Sequence, residues 1–180
     1  MKDVIEKVLY SEEEIKNRVK ELGAKITEDY KGESVMVLCI LKGAFMFASD
    51  LLRTIELDST SIHFMVASSY GDKTTSSGHV IIKQDIDESV VGRHIIIAED
   101  IVDTGRTLSY VVQYLKEKGA ASVEICTMFD KPDRRITEVD VKYSGYTIPD
   151  EFVVGYGLDY AGDYRNLPYL GILKRSVYEN

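Results

Sequence analysis

The stretch that decides the architecture runs from residue 94 to residue 107: His94-Ile-Ile-Ile-Ala-Glu-Asp-Ile-Val-Asp-Thr-Gly-Arg-Thr107. Its first five residues, His94 to Ala98, form a short continuous apolar run, the pattern of a strand covered on both faces. Glu99 to Thr107 reads as a loop. Leu108 to Lys118 repeats apolar residues at helical spacing and stops at Gly119, and Val123 to Phe129 is a second apolar run of strand length. Strand, loop, helix, strand is the βαβ unit of a parallel sheet, so the chain is α/β.

Upstream, Ser11-Glu-Glu-Glu14 has the spacing of a capping box, and Ile15, Val19, Leu22 and Ile26 continue it as an amphipathic helix. Ser34 to Leu41 is another fully apolar strand, followed by Lys42-Gly43 and a helical pattern through Phe47, Leu51 and Leu52. A strand around Ile62 to Ala67 leads into a polar, glycine-containing segment from Ser68 to His79, which predicts a mobile surface loop, and Val80 to Ile82 returns as a strand. Phe152 to Leu158 and Tyr169 to Lys174 predict two further short strands. No repeat, low-complexity tract or linker divides residues 1–180, which are read as a single domain.

Composition narrows the functions open to this fold. The 180 residues are 44% hydrophobic and 29% charged, with 30 acidic against 22 basic side chains and a formal net charge of -8. A nucleic-acid binder is usually basic, so no nucleic-acid partner is expected. Residues 1–10 carry charges through their only apolar portion and no window approaches a membrane span, so neither a signal peptide nor a membrane partner is expected, and the protein is read as cytoplasmic. Cys39 and Cys126 lie far apart in apolar runs without metal-ligand spacing and read as reduced core residues.

In an open α/β sheet the turn after a strand is where ligands bind. Thr104, Gly105, Arg106 and Thr107 would present backbone N–H groups, two hydroxyls and a helix N-terminus, a phosphate cradle that requires no net positive charge. Glu99 and Asp100 suit a cation or sugar hydroxyls. Asp103 stands between these two functions and could reach a reacting group. An isolated Asp-Thr-Gly would serve equally well to cap a helix. Acids and hydroxyls clustered directly after three isoleucines make capping insufficient as the whole explanation. The phosphate loop GxxxxGK[ST] is absent, and Gly155-Tyr-Gly157 lacks the third glycine of a dinucleotide fingerprint.

The nine residues EDIVDTGRT, preceded by IIIA, resemble the phosphoribosyl pyrophosphate motif of type I phosphoribosyltransferases. Leu41-Lys-Gly43, Ser69-Tyr70-Gly71, Lys131-Pro132 and Phe152-Val-Val-Gly-Tyr-Gly-Leu-Asp159 with Arg165 narrow the likeness to the bacterial hypoxanthine-guanine branch, in order and spacing over nearly the whole chain. The resemblance implies a mainly parallel central sheet flanked by helices, a small hood from the N- and C-terminal segments, and a mobile loop at about 68–79. It implies transfer of phosphoribosyl from phosphoribosyl pyrophosphate to hypoxanthine or guanine, giving IMP or GMP and pyrophosphate, with Mg2+ as cofactor.

Carried over residue by residue, the likeness assigns phosphoribosyl pyrophosphate to Glu99, Asp100, Asp103, Thr104, Gly105, Arg106 and Thr107, with Asp103 as general base. The leaving pyrophosphate falls to Lys42, Gly43, Ser69, Tyr70 and Arg165, with the Leu41 to Lys42 peptide cis. The purine falls to Lys131, Phe152, Val153 and Asp159, and the metal to Glu99, Asp100 and Asp159. Lys131 would donate to the 6-oxo group, a position where adenine offers a donor instead. Relatives imply a homodimer or homotetramer and guanosine tetraphosphate as an inhibitor. Gly43 is followed by Ala44-Phe45 rather than a second Gly, and Arg106 stands where Lys also occurs, but neither change removes a backbone donor. Two other readings are a phosphoribosyl pyrophosphate-sensing RNA-binding regulator, which the acidic balance disfavours, and a transferase for another base such as xanthine.

Overall fold

The computed structural model describes residues 4–69 and 80–179, the Ser69 side chain excepted. Nine strands and four helices occur among the described residues, in the order β1 (Ile5–Tyr10), α1 (Glu12–Asp29), β2 (Val35–Ile40), α2 (Phe45–Leu52), β3 (Thr60–Ser69), β4 (Val80–Gln84), β5 (His94–Val102), α3 (Arg106–Glu117), β6 (Ser122–Asp130), β7 (Tyr143–Thr147), β8 (Val153–Val154), β9 (Leu170–Leu173) and α4 (Arg175–Tyr178). A short 3-10 turn, Pro132–Arg134, follows β6.

Six strands form the main sheet in the order β4-β3-β2-β5-β6-β7, parallel throughout except where β4 pairs antiparallel with β3. Every residue of β2 is buried, as its unbroken apolarity requires. Alternate residues serve opposite faces. Val35, Val37 and Cys39 join Ile96 and Ala98 of β5 beneath α1 and α2, whereas Met36, Leu38 and Ile40 join Ile95 and Ile97 beneath α3. α1 starts at Ser11, whose hydroxyl accepts from the Glu14 N–H while the Glu14 carboxylate accepts from the Ser11 N–H, so the capping box is present.

The chain passes from β2 to β3 on one side and then resumes at β5 on the other, so the strand order reverses between β2 and β5. That reversal opens a crevice at the carboxyl ends of these two strands. A second sheet, β1-β9-β8, is antiparallel and brings residues 5–10 against residues 153–173.

Three expectations are corrected. Glu99 to Val102 belong to β5 rather than to a loop, because the backbone keeps pairing with β6 (Glu99 with Thr127, Ile101 with Phe129, Val102 with Asp130) after the apolar run has ended. The following helix starts at Arg106, two residues before the apolar repeat marks it, and ends at Glu117. Phe152 to Leu158 is not one strand. Only Val153–Val154 extends, and the chain then turns through Gly155, Tyr156 and Gly157, all at positive φ. β1, β7 and α4 were not expected. Of the mobile loop expected at about 68–79, Ser68 and Ser69 belong to β3, and residues 70–79 lie outside the described residues.

Candidate active site

The crevice between β2 and β5 holds a cavity of about 360 Å³ lined by Leu41, Lys42 and Gly43 from the end of β2 and by Glu99 to Gly105, Thr107 and Leu108 from β5 and the start of α3. The segment after Val102 forms a cradle by turning its carbonyls away. The Thr104 carbonyl accepts from the Ile136 and Thr137 N–H groups, both at 3.0 Å, and the Gly105 carbonyl accepts from Ser109 at 2.9 Å. Gly105 is the N-cap residue of α3, at φ 80°, and a Cβ there would collide with the Thr137 carbonyl. No side chain among the described residues caps this helix. Asp103 and Thr104 are therefore not spent on capping, and among the described residues the first N–H groups of α3 have no side-chain acceptor. Arg106 is exposed and lies outside the cavity lining.

The Leu41 to Lys42 peptide is cis. Gly43 packs directly on the acidic pair, so closely that a Cβ would overlap the Asp100 carboxylate. Asp100 is buried, 8% exposed, and its Oδ1 accepts from the Ile101 N–H at 2.7 Å. Burial pushes Glu99 well above the usual carboxylate range, and the neighbouring Asp100 charge pushes the same way. Burial also raises Asp100, against the opposing pull of its hydrogen bonds and the Arg165 charge. Glu99 is half-buried and Asp100 buried, both line the cavity, and a cation bound there would relieve their mutual repulsion. Beneath them Cys39 remains a thiol, pushed up to about 12 by burial and by the charges of Glu99 and Asp100.

A second cavity of about 480 Å³ adjoins the first and shares Ile101 and Asp103 with it. Its other walls include Lys131, Arg134, Phe152, Val153, Leu158 and Tyr178. β6 delivers Lys131: its N–H donates to the Val102 carbonyl at 2.9 Å, continuing the β5 to β6 register one residue past Asp130. Lys131 is buried, and its Nζ donates to the Glu151 carbonyl at 2.8 Å with Asp150 at 3.7 Å. Asp103 Oδ1 is buried and finds no hydrogen-bond donor among the described residues, although Arg134 Nε lies 3.1 Å away as an ion-pair partner.

Asp159 and Arg165 stand apart from both cavity linings. They bind each other at 2.6 Å, Asp159 Oδ2 also accepts from the Gly162 N–H, and Arg165 Nη1 donates to the Gly157 carbonyl at 2.6 Å. Asp159 is thus not brought beside Glu99 and Asp100, and among the described residues no cluster of three metal-ligating side chains occurs. Ser69 ends β3 in register with Val80. Its side chain and Tyr70 lie outside the described residues. Arg134, Ile101 and Tyr178 are wall residues that the sequence reading missed. Pro132 directly after Lys131 signals a tight turn, which would have placed Arg134 beside it. Ile101 and Tyr178 carry no such signal.

Comparison with known proteins gives a consistent result. Residues 7–161 match the family model described as phosphoribosyl transferase domain. A hypoxanthine-guanine phosphoribosyltransferase of Bacillus subtilis is 51% identical over 180 residues, covering 100% of this chain and 99% of the relative. One of Streptococcus agalactiae serotype V is 51% identical over 174 residues, covering 97% and 96%. The crystal structure of a hypoxanthine phosphoribosyltransferase from Staphylococcus aureus superposes with a TM-score of 0.96 at 48% identity, covering 100% of this chain and 97% of that one.

Proposed function

The chain belongs to the phosphoribosyltransferase family, and from that premise we propose that it salvages 6-oxopurines, transferring phosphoribosyl from phosphoribosyl pyrophosphate to hypoxanthine or guanine. The observation that carries this reading is the pair of adjoining cavities with Asp103 on their common wall. One cavity has the donors for a phosphorylated sugar, and the other has an aromatic wall and an amino group for a base.

Thr104 to Thr107 hold the 5-phosphate with backbone N–H groups and hydroxyls at the start of α3. The Lys42-Gly43 backbone faces the diphosphate. Glu99 and Asp100 take the ribose hydroxyls. In the reaction the bond from the anomeric carbon to pyrophosphate breaks and its electron pair leaves with pyrophosphate. A purine ring nitrogen bonds to that carbon, and the purine N–H proton passes to the carboxylate of Asp103 on the wall common to both cavities. Lys131 turns its amino group from the Glu151 carbonyl to the 6-oxo oxygen, Phe152 stacks on the ring and Val153 meets its edge.

Mg2+ fits this donor set, since it favours one or two carboxylates plus substrate phosphates over an all-protein cage. Glu99 and Asp100 would hold it, and Asp159 could contribute only by releasing Arg165. When bound, the metal neutralises charge on the leaving diphosphate. Arg165, freed in the same way, would pair with the diphosphate, and Ser69 and Tyr70 would cover it. A cytoplasmic homodimer or homotetramer inhibited by guanosine tetraphosphate completes this reading. No helix among the described residues is long and apolar enough to cross a membrane.

The test is release of pyrophosphate from phosphoribosyl pyrophosphate. It should require both Mg2+ and a 6-oxopurine and yield one IMP or GMP per pyrophosphate. Pyrophosphate release that ignores the base, or none at all, would overturn the proposal.

A further inference from the structure

The ring that walls the second cavity, on the residue before β8, is held by more than its own backbone. Phe152 remains 38% exposed although two tyrosine rings press on it. Tyr178 stacks on it with centroids 4.9 Å apart and an interplanar angle of 26°. Tyr160 meets it nearly perpendicular at 5.6 Å. Tyr178 also lines the cavity itself, together with Asp103 and Lys131.

The segment carrying Tyr178 is tied down at three points. The Leu173 N–H donates to the Phe152 carbonyl at 2.8 Å, the Lys174 N–H donates to the Val4 carbonyl at 2.9 Å, and the Tyr160 hydroxyl donates to the Val177 carbonyl at 3.3 Å. Val177 and Tyr178 also pack against the small apolar cluster of Val154, Leu167 and Leu173. Tyr178 therefore enters the cavity wall on a fixed backbone rather than on a free end.

We propose that Tyr178 is a positioning residue for the purine: stacked on one face of Phe152, it holds that ring at the angle at which its other face receives the base. This rests on the reading of the second cavity as the purine site. A ring already fixed loses less freedom when the ligand arrives than one that must first be ordered. Tyr178 lines the second cavity and not the first, where the phosphate cradle and the Lys42-Gly43 loop lie, so its contribution is confined to the base. Its hydroxyl plays no part, because the contact is made by the ring face.

Steady-state kinetics of the full chain with hypoxanthine and guanine separate this role from general damage. Tyr178→Ala should raise KM for the base about three- to tenfold, the size of an aromatic stacking contribution. KM for phosphoribosyl pyrophosphate should stay within about twofold and kcat should fall little. Tyr178→Phe keeps the ring and should restore the base KM. An unchanged base KM in Tyr178→Ala, or equal increases for both substrates, would overturn the inference while leaving the activity intact. A lower base KM would overturn it too, since the ring would then be occupying the place of the base. Absence of turnover by the unsubstituted protein would instead overturn the purine reading and this inference with it.

Discussion

At the scale of single residues, Asp103 carries the account. It sits just past the end of β5, on the wall common to two cavities, and its buried Oδ1 finds no hydrogen-bond donor among the described residues while Arg134 supplies charge from 3.1 Å. Proton transfer by a positioned side chain contributes about 10²- to 10⁴-fold to rate. Asp103→Asn should therefore lower kcat by about a hundredfold or more while the dissociation constant for phosphoribosyl pyrophosphate changes little, measured by single-turnover kinetics and equilibrium binding. An unchanged kcat would remove Asp103 as the base. The motif from Glu99 to Thr107 was legible because its chemistry is local: acids, hydroxyls and a glycine within nine residues. Arg134 and Tyr178 were not, because each reaches the site through the fold, one by a turn after β6 and the other from 26 residues beyond the Phe152 it touches.

At the scale of elements, the strands that can be read from sequence are those buried on both faces. β2 and the first half of β5 announce themselves by unbroken apolarity. β1 and β7 do not, because their character is conferred by partners. β1 (IEKVLY) is half exposed and becomes a strand by pairing with β9, more than 150 residues away, and β7 (YSGYT) becomes one by lying beside β6. The contact between the edge of the main sheet and α3 is likewise invisible in the sequence. There the Asp85 carboxylate gathers the Ile86 N–H at 2.8 Å, the Lys118 ammonium at 2.6 Å and the Tyr114 hydroxyl. Burial alone would raise Asp85, yet these bonds hold it below the usual carboxylate range. A carboxyl group lowered on folding contributes stability above its unfolded pKa of about 3.9 and loses it as pH falls through the folded value. Asp85→Asn should therefore lower the unfolding midpoint at pH 7 and converge on the parent protein in strong acid. An equal difference at both pH values would contradict the assignment.

At the scale of the whole molecule, function follows from where the sheet reverses direction. The strand order β4-β3-β2-β5-β6-β7 places the ends of β2 and β5 side by side, which joins Lys42-Gly43 to the Glu99 to Thr107 segment across a distance in sequence of more than fifty residues. The second sheet, built from both ends of the chain, brings Phe152 and Val153 over the other side of Asp103. The net charge of -8 is compatible with polyphosphate substrates because, in the proposed site, the phosphates would meet backbone N–H groups. The acids there would serve sugar, metal and proton instead.

The most direct measurement is a competition in which hypoxanthine, guanine and adenine are offered together with Mg2+ and limiting phosphoribosyl pyrophosphate. In the proposed site the buried Lys131 amino group would present a donor to position 6, where a 6-oxopurine accepts and adenine donates, and a mismatch of this kind is worth several orders of magnitude. The predicted result is IMP and GMP without detectable AMP. AMP formed at a comparable rate, or no nucleotide at all, would contradict the account.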